Sequence, residues 1–247
     1  GFTPGQKVFA AAVLAKRNTG SYAEYMVCDA DAVQPLPDTV PFAQGAGLGT
    51  PGLAASYALF SRAVLKPGET VLINGATGGV GTLAVQLAQR FGAVVLGTSG
   101  TPEGTEMLRN MGTRHVFNHR EDGYLEQVRE VCGKGPDVII EMLANINLAK
   151  DLDLLAPNGR IAVVGSRGSL DFSPRDAMLK NAAIHGIMIS NMPQHDFTEN
   201  MYRLSAALTT GMRVAVDREL PLERAAEANK LVLQDGKVGK IVLGMDA

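Results

Sequence analysis

The run from Thr70 to Thr82, Thr-Val-Leu-Ile-Asn-Gly-Ala-Thr-Gly-Gly-Val-Gly-Thr, constrains this chain more than any other stretch. Val71, Leu72 and Ile73 are a short apolar, β-branched run of the kind that forms a strand buried on both faces. The glycines from Gly75 to Gly81 then break it before a helix-like segment begins. Strand, glycine turn and helix in that order are the context in which a G-x-G-x-x-G/A fingerprint binds a dinucleotide. Here the register is Ala76-Thr-Gly78-Gly-Val-Gly81, with alanine in the first glycine's place and Gly79 as an extra small residue. Gly78 and Gly79 have no Cβ, so the backbone can approach a diphosphate closely, and Gly81 lets the helix pack tightly against the strand. The helix's first unpaired N–H groups and its dipole then face the phosphates.

From Glu69 onward the apolar pattern alternates between strand and helix. The helix after the glycine turn ends at Gly92 and is followed by a strand at Ala93 to Thr98, a helix at Pro102 to Met111 and a strand at His115 to Asn118. Next come a helix at Tyr124 to Cys132, a strand at Asp137 to Glu141, a helix at Leu148 to Leu155 and strands at Arg160 to Gly165 and Ala183 to Ile189. Strands joined through helices of this length run parallel with right-handed crossovers. The expectation is therefore an α/β fold with a doubly wound, six-stranded parallel Rossmann sheet, whose ligands lie outside the carboxyl ends of the strands. Before this unit, Lys7 to Val13, Gly20 to Val27 and Ala32 to Pro37 read as three short strands, and Phe42 to Leu65 as one or two helices with a start or kink at Thr50-Pro51. After it come amphipathic helices at Phe197 to Gly211 and Pro221 to Gln234. The closing strand at Gly239 to Leu243 is not needed for the six-stranded sheet and could instead return to pair with the strands at the start of the chain. Three short strands do not make a domain alone, so the chain reads as starting within one.

The dinucleotide can be narrowed. An NAD site places Asp or Glu at the end of the second strand, about 20 residues past the fingerprint. That strand ends here in Ser99-Gly100-Thr101, with no carboxylate before Glu103, which favours NADP over NAD. His119 and Arg120, after the third strand, offer donors and positive charge, although Arg120 reads equally as a solvated charge beside Glu121. A mononucleotide, or NAD held without the usual contact, is the other reading. Val163 to Arg167 after the fifth strand is a second polar turn, suited to the cofactor's far half, and Asn145 and Asn147 follow the fourth. The four histidines have no cysteine near enough in sequence for a tetrahedral zinc site, and there is no G-x-S-x-G elbow. No metal is expected, and the chemistry falls to the cofactor.

With 247 residues, 46% hydrophobic and 19% charged, the chain has the composition of an ordinary globular protein, and a net charge of -2 gives no cationic excess for nucleic acid or a membrane surface. No apolar run approaches the about 20 residues of a membrane span. Cys28 and Cys132 are too few for a disulfide framework, so a reducing, cytoplasmic setting is expected.

Gly20-Ser-Tyr-Ala-Glu-Tyr25, Gly75 to Gly81, Val116-Phe-Asn-His-Arg-Glu121, Ile140-Glu-Met-Leu-Ala-Asn145 with Asn147, Val164-Gly-Ser-Arg-Gly168 with Pro174-Arg-Asp176, and Gly239-Lys240 together resemble the medium-chain dehydrogenase/reductase superfamily. Within it they resemble the zinc-less quinone oxidoreductases close to zeta-crystallin, over essentially the whole chain. The resemblance implies NADPH-dependent reduction of a quinone, with enone or alkenal reduction as the alternative, by an enzyme that is commonly a homo-oligomer, dimer or tetramer. It implies that Thr77, Gly78, Gly79 and Val80 hold the diphosphate, and that Gly100 and His119 meet the 2′-phosphate end. Asn147, Val164, Gly165, Ser166, Arg167, Ile187, Met188 and Ile189 line the rest of the cofactor's path. No catalytic residue is assigned. It also implies a division into residues 43–212, the NADP-binding domain, and residues 1–42 with 213–247, the remainder of a GroES-like catalytic domain. The segment with which relatives begin is absent here, so the chain is expected to bind cofactor better than it turns over substrate. Ala54-Ala55-Ser56 replaces a Thr-Ala-Tyr common in relatives, and residues 99–105 lack the lysine often found there. A non-enzymatic role, as a lens crystallin or in AU-rich RNA binding, is the remaining alternative; the acidic balance gives RNA little help.

Overall fold

A computed structural model describes residues 1–11, 20–234, 236 and 238–245. Its first elements are β1 (Val8–Ala10) and β2 (Val33–Pro35), paired antiparallel, followed by α1 (Phe42–Ala46) and α2 (Gly49–Ser56), which runs on into a π-helical turn, Tyr57–Arg62. The doubly wound unit comprises β3 (Thr70–Ile73), α3 (Gly79–Arg90), β4 (Val94–Ser99), α4 (Pro102–Asn110), β5 (His115–Asn118), α5 (Tyr124–Cys132), β6 (Val138–Glu141), α6 (Ala144–Leu154), β7 (Arg160–Val163), α7 (Pro174–Lys180) and β8 (Ala183–Gly186). The chain closes with α8 (Gln194–Thr209), β9 (Val216–Pro221), α9 (Ala225–Val232) and β10 (Lys240–Gly244).

The six strands pair in parallel in the order β5-β4-β3-β6-β7-β8. Strand side chains alternate between faces, and here both faces are covered. Val71, Ile73, Val138 and Ile140 belong to the apolar layer that includes Leu53, Leu83 and Phe197. Leu72, Ile139 and Ile161 belong to the layer that includes Val128 and Leu152. The strand order reverses between β3 and β6, which opens a crevice at their carboxyl ends.

Several elements differ from expectation. Gly20 to Val27 carries no strand, and the last two residues of the first expected strand, 12 and 13, lie outside the described residues. The sixth strand stops at Gly186, so Ile187 to Ile189 fall in the turn after it. The expected helix from Pro221 opens as a short 3-10 turn and becomes α9 only at Ala225. β10 pairs in parallel with β9, not with the first strands. Among the described residues no helix is long and apolar enough to cross a membrane.

Candidate functional site

The glycine turn is built from β3 outward. Asn74 N–H donates to Ile140 O at 3.0 Å, and the next two amides, Gly75 and Ala76, donate to Thr98 Oγ1 and Thr98 O, both at 3.0 Å. Gly75 takes φ +66°, which turns the chain back toward the crevice. A Cβ on Gly81 would lie 2.3 Å from Gly75 O and 2.6 Å from Ala76 Cα, so packing alone demands glycine there. Gly78 is different: its added Cβ would meet only Gly75 O, at 3.5 Å. Nothing among the described residues requires its bareness, which leaves space for a ligand. Gly78 N-caps α3 without a side-chain cap, so the first N–H groups of the helix face outward from half-buried Thr77 to Val80. This cradle fits a diphosphate.

At the next strand the expected residues converge. A Cβ on Gly100 would lie 2.8 Å from His119 Nε2 and 3.1 Å from Arg120 Nε, so glycine lets both side chains close over the end of β4. Asn118 orients them: its Oδ1 accepts from Arg120 N–H at 3.1 Å and its Nδ2 donates to Glu121 Oε1 at 2.9 Å. Glu121 is thereby engaged away from Arg120. His119 has an exposed edge, yet the crowding of its ring, and after it the Arg120 charge, hold its pKa below the ordinary histidine value. Exposure to solvent keeps that effect small. The ring is therefore a neutral donor or acceptor near neutral pH, and Arg120 carries the fixed charge. Thr101 caps α4 by accepting from Gly104 N–H at 3.1 Å.

On the other side of the crevice, Asn147 lies in the first turns of α6, and its Nδ2 donates to Glu141 Oε1 at 3.2 Å. The turn after β7 is laced to the same helix: Ala144 N–H donates to Gly165 O at 2.9 Å, and Asn145 Oδ1 accepts from Arg167 N–H at 2.9 Å and from Ser166 Oγ at 3.4 Å. Gly165 packs flat on Met142, whose carbonyl oxygen is 2.4 Å from where a Cβ would be. Val164 is half-buried and Arg167 exposed. Beyond β8, Ile187 is buried and hydrogen-bonded to Val163 O at 2.9 Å, Met188 is exposed, and Ile189 opens a 3-10 turn. All fourteen expected residues thus lie at the carboxyl edge of one sheet. Ala54 and Ala55 are buried in α2, and Ser56 Oγ is taken up by Asn200 Oδ1 at 2.5 Å.

Lys240 was given no role by the sequence, yet its side chain lies against the cradle. The backbone before it docks on the turn: Gly239 N–H donates to Thr77 O at 2.8 Å, and Gly239 bridges Gly78. The Lys240 stem then crosses Gly79, where an added Cβ would meet its Cδ at 2.3 Å. Burial holds its pKa below the ordinary lysine value, with no carboxylate acting on it among the described residues. A half-buried lysine with no counter-ion among the described residues, its stem across the first turn of α3, completes a site for an anion. Among the described residues no group of three or more His, Cys, Asp or Glu is arranged to hold a metal ion.

Residues 79–221 match the model of the zinc-binding dehydrogenase family. The chain is 43% identical over 249 residues to a quinone oxidoreductase of Sus scrofa, an alignment that covers 98% of this chain and 73% of that protein. Among solved structures, the NADPH complex of mycobacterial Rv1454c superposes with a TM-score of 0.82 at 26% identity, covering 92% of this chain and 72% of the other. The CurK enoyl reductase superposes with a TM-score of 0.80 at 26% identity, covering 90% and 68%.

Proposed function

Because the chain belongs to the zinc-binding dehydrogenase family and, within it, to the quinone oxidoreductases, we propose that it is an oxidoreductase that reduces quinones with NADPH. The observation that carries this reading is the cradle after β3, where Gly78, a glycine that packing does not require, stands at the uncapped helix N–H groups and the Lys240 stem crosses the neighbouring Gly79. Thr77 to Val80 and Lys240 bind the diphosphate. Arg120 and the His119 ring, closed over Gly100, meet the 2′-phosphate, and the absence of a carboxylate at the end of β4 supports NADP(H) over NAD(H). Asn147, the Val164 to Arg167 turn and the Ile187 to Ile189 turn line the path to the nicotinamide. Buried Ile187 and half-buried Val164 exclude water from it. When bound, NADPH supplies the hydride. The chain's own part is to hold donor and acceptor in register; the quinone ring is electron-poor enough to take two electrons and one proton together, and the second proton of the hydroquinone comes from water. Residues 43–212 serve as the cofactor half and residues 1–42 with 213–247 as the remainder of the catalytic half. β8 leaves a sheet edge of the kind a second copy covers in a homo-oligomer.

The likeness to the CurK enoyl reductase favours a second reading, reduction of an activated carbon–carbon double bond on the same scaffold. Calorimetric titration with NADPH and NADH, followed by turnover of a quinone and an enone series, tests both. Tighter binding of NADPH and preferential quinone turnover are expected; a preference for NADH would overturn the NADP assignment, and faster enone turnover would favour the second reading.

A further inference from the structure

Behind the turn that carries Asn147 lies a pair of carboxyl groups that hydride transfer does not use. Glu141 ends β6 and Asp151 sits in α6, and they are 0% and 2% exposed. A single amide bridges them: Asn74 Nδ2 donates to Glu141 Oε2 at 2.5 Å and to Asp151 Oδ1 at 2.9 Å. The other Glu141 oxygen accepts from the Leu143 backbone N–H and from Asn147 Nδ2. Asp151 Oδ2 is the one buried side-chain polar atom among the described residues without a hydrogen-bond partner.

Two full negative charges beside one neutral amide in a dry interior are costlier than binding a proton. A proton on the Asp151 carboxyl, which interacts with the Glu141 side chain, lets the pair replace repulsion with a charge-assisted hydrogen bond, and Oδ2, the oxygen without a partner, is free to carry it. Burial first, and then the charge and hydrogen bond of Glu141, push the Asp151 carboxyl well above the usual carboxylate range; Asn74 and the more distant Lys150 act weakly the other way. The remaining titratable group facing the pair is Tyr124 of α5, whose phenol is pushed up by burial and by both carboxylates, so it brings no charge of its own.

We propose that Asp151 is a positioning residue of the cofactor site: it shares one proton with Glu141, and through Glu141 it fixes the Leu143 peptide and the Asn147 side chain beside the cofactor's far half. This rests on the reading that a nicotinamide cofactor lies there. Asp151→Asn offers the same donor to Glu141 and the same acceptor to Asn74 from a group that does not titrate. Asp151→Leu keeps the volume and offers neither.

The test is the NADPH dissociation constant across neutral to alkaline pH for wild type, Asp151→Asn, Asp151→Leu, Asn147→Ala and the double variant Asp151→Leu/Asn147→Ala, with thermal melts to select conditions in which each is folded. At neutral pH, Asp151→Asn is expected to bind within about threefold of wild type and Asp151→Leu about tenfold more weakly, with the double variant no weaker than the weaker single one. Wild-type affinity falls more steeply with rising pH, as the shared proton leaves, than that of Asp151→Asn, which keeps only the decline that follows loss of the Lys240 ammonium. The melts give an independent reading should Asp151→Leu fail to fold. The native carboxyl keeps a proton that the unfolded chain loses, so wild-type stability declines relative to that of Asp151→Asn as pH rises. An additive double variant, an Asp151→Asn protein as weak as Asp151→Leu, or the same alkaline decline in Asp151→Asn as in wild type would overturn the proposal. Wild type that binds neither NADPH nor NADH would instead overturn the cofactor reading beneath it, and this proposal with it.

Discussion

Gly78 and Gly81 stand three residues apart and answer to different forces. Gly81 is demanded by the fold, since its Cβ would strike three backbone atoms that cannot move without opening the turn. Gly81→Ala is expected to cost on the order of 3 kcal/mol in denaturant unfolding. Gly78 has an ordinary extended backbone, φ -77° and ψ 174°, and room for a methyl group. Gly78→Ala should cost about 1 kcal/mol, as a poorer helix cap, while lowering NADPH affinity by about tenfold or more because the methyl group stands where the phosphate oxygens need to approach. Unfolding and calorimetry on the two variants separate the roles. Lys240 makes a third case. Lys240→Met is expected to weaken NADPH and NADH alike, by about tenfold, because its ammonium faces the diphosphate that both share. Its buried side chain also sets opposed pH trends. As pH rises through its lowered pKa, the ammonium is lost and cofactor affinity falls; over the same range the unfolded chain holds the extra proton, so the stability of the ligand-free protein rises. Equal slopes in wild type and Lys240→Met would sink this account. The cradle residues were legible in the sequence because a glycine motif between strand and helix fixes its own backbone locally. Lys240 was not, because its place depends on the register of a strand far along the chain.

That strand, β10, is where the sequence was least informative. Val216-Asp-Arg-Glu-Leu-Pro alternates weakly and ends in proline, so β9 leaves little periodic signal. With β9 unseen, a closing strand has no visible partner except the strands at the start. α7, at Pro174–Lys180, was also unannounced: it has no buried residue, and thus no apolar stripe. The core of the sheet was the opposite case, since continuous apolar runs such as Val138 to Ile140 can be buried only from both sides. The β9–β10 pair is more than an appendage, because Gly239 links it to the glycine turn. Gly239 has φ +95°, and a side chain there would lie 2.4 Å from Ala215 O. Gly239→Val should therefore detach β10 from Thr77 while leaving Lys240 in the chain. The expected outcome is faster hydrogen exchange at Thr77 to Gly79, together with a loss of NADPH affinity comparable to that of Lys240→Met. Unchanged exchange at the turn would mean that the strand does not brace it.

Across the whole molecule, the residues proposed to bind cofactor and the ion pairs that stabilise the fold lie at opposite ends of the sheet. At the amino ends of the strands, Arg160 of β7 donates to Glu69 at 2.9 and 2.7 Å, to Ala63 O at 2.8 Å and to Val64 O at 3.2 Å. It thereby holds Val64 at φ +47°, a conformation a β-branched residue rarely takes. The pair is sheltered, with both side chains 19% exposed. Burial alone would raise the Glu69 pKa; hydrogen bonds from Arg160 and from the Lys66 N–H, with the Arg160 charge, outweigh it and hold the carboxyl below its ordinary value. Asp137, which accepts from Thr70 N–H and pairs with Lys134, is likewise held low against its own burial. Both carboxylates contribute stability above the unfolded carboxylate range and lose it as pH falls through their lowered values. Arg160→Leu strands Glu69 and two carbonyls in partial burial, at an expected cost of about 2–4 kcal/mol. That deficit should shrink as pH falls toward the carboxylate range, where Glu69 takes up a proton and no longer needs a partner. Cofactor affinity should stay near wild type throughout, because every residue assigned to the cofactor lies at the far edge of the sheet. Urea unfolding at several pH values, paired with NADPH titration of the folded variant, checks both halves of this expectation. A deficit that does not change with pH would mean that the Arg160–Glu69 charge pair is not what the substitution removes, and a parallel loss of affinity would mean that the two ends of the sheet are coupled.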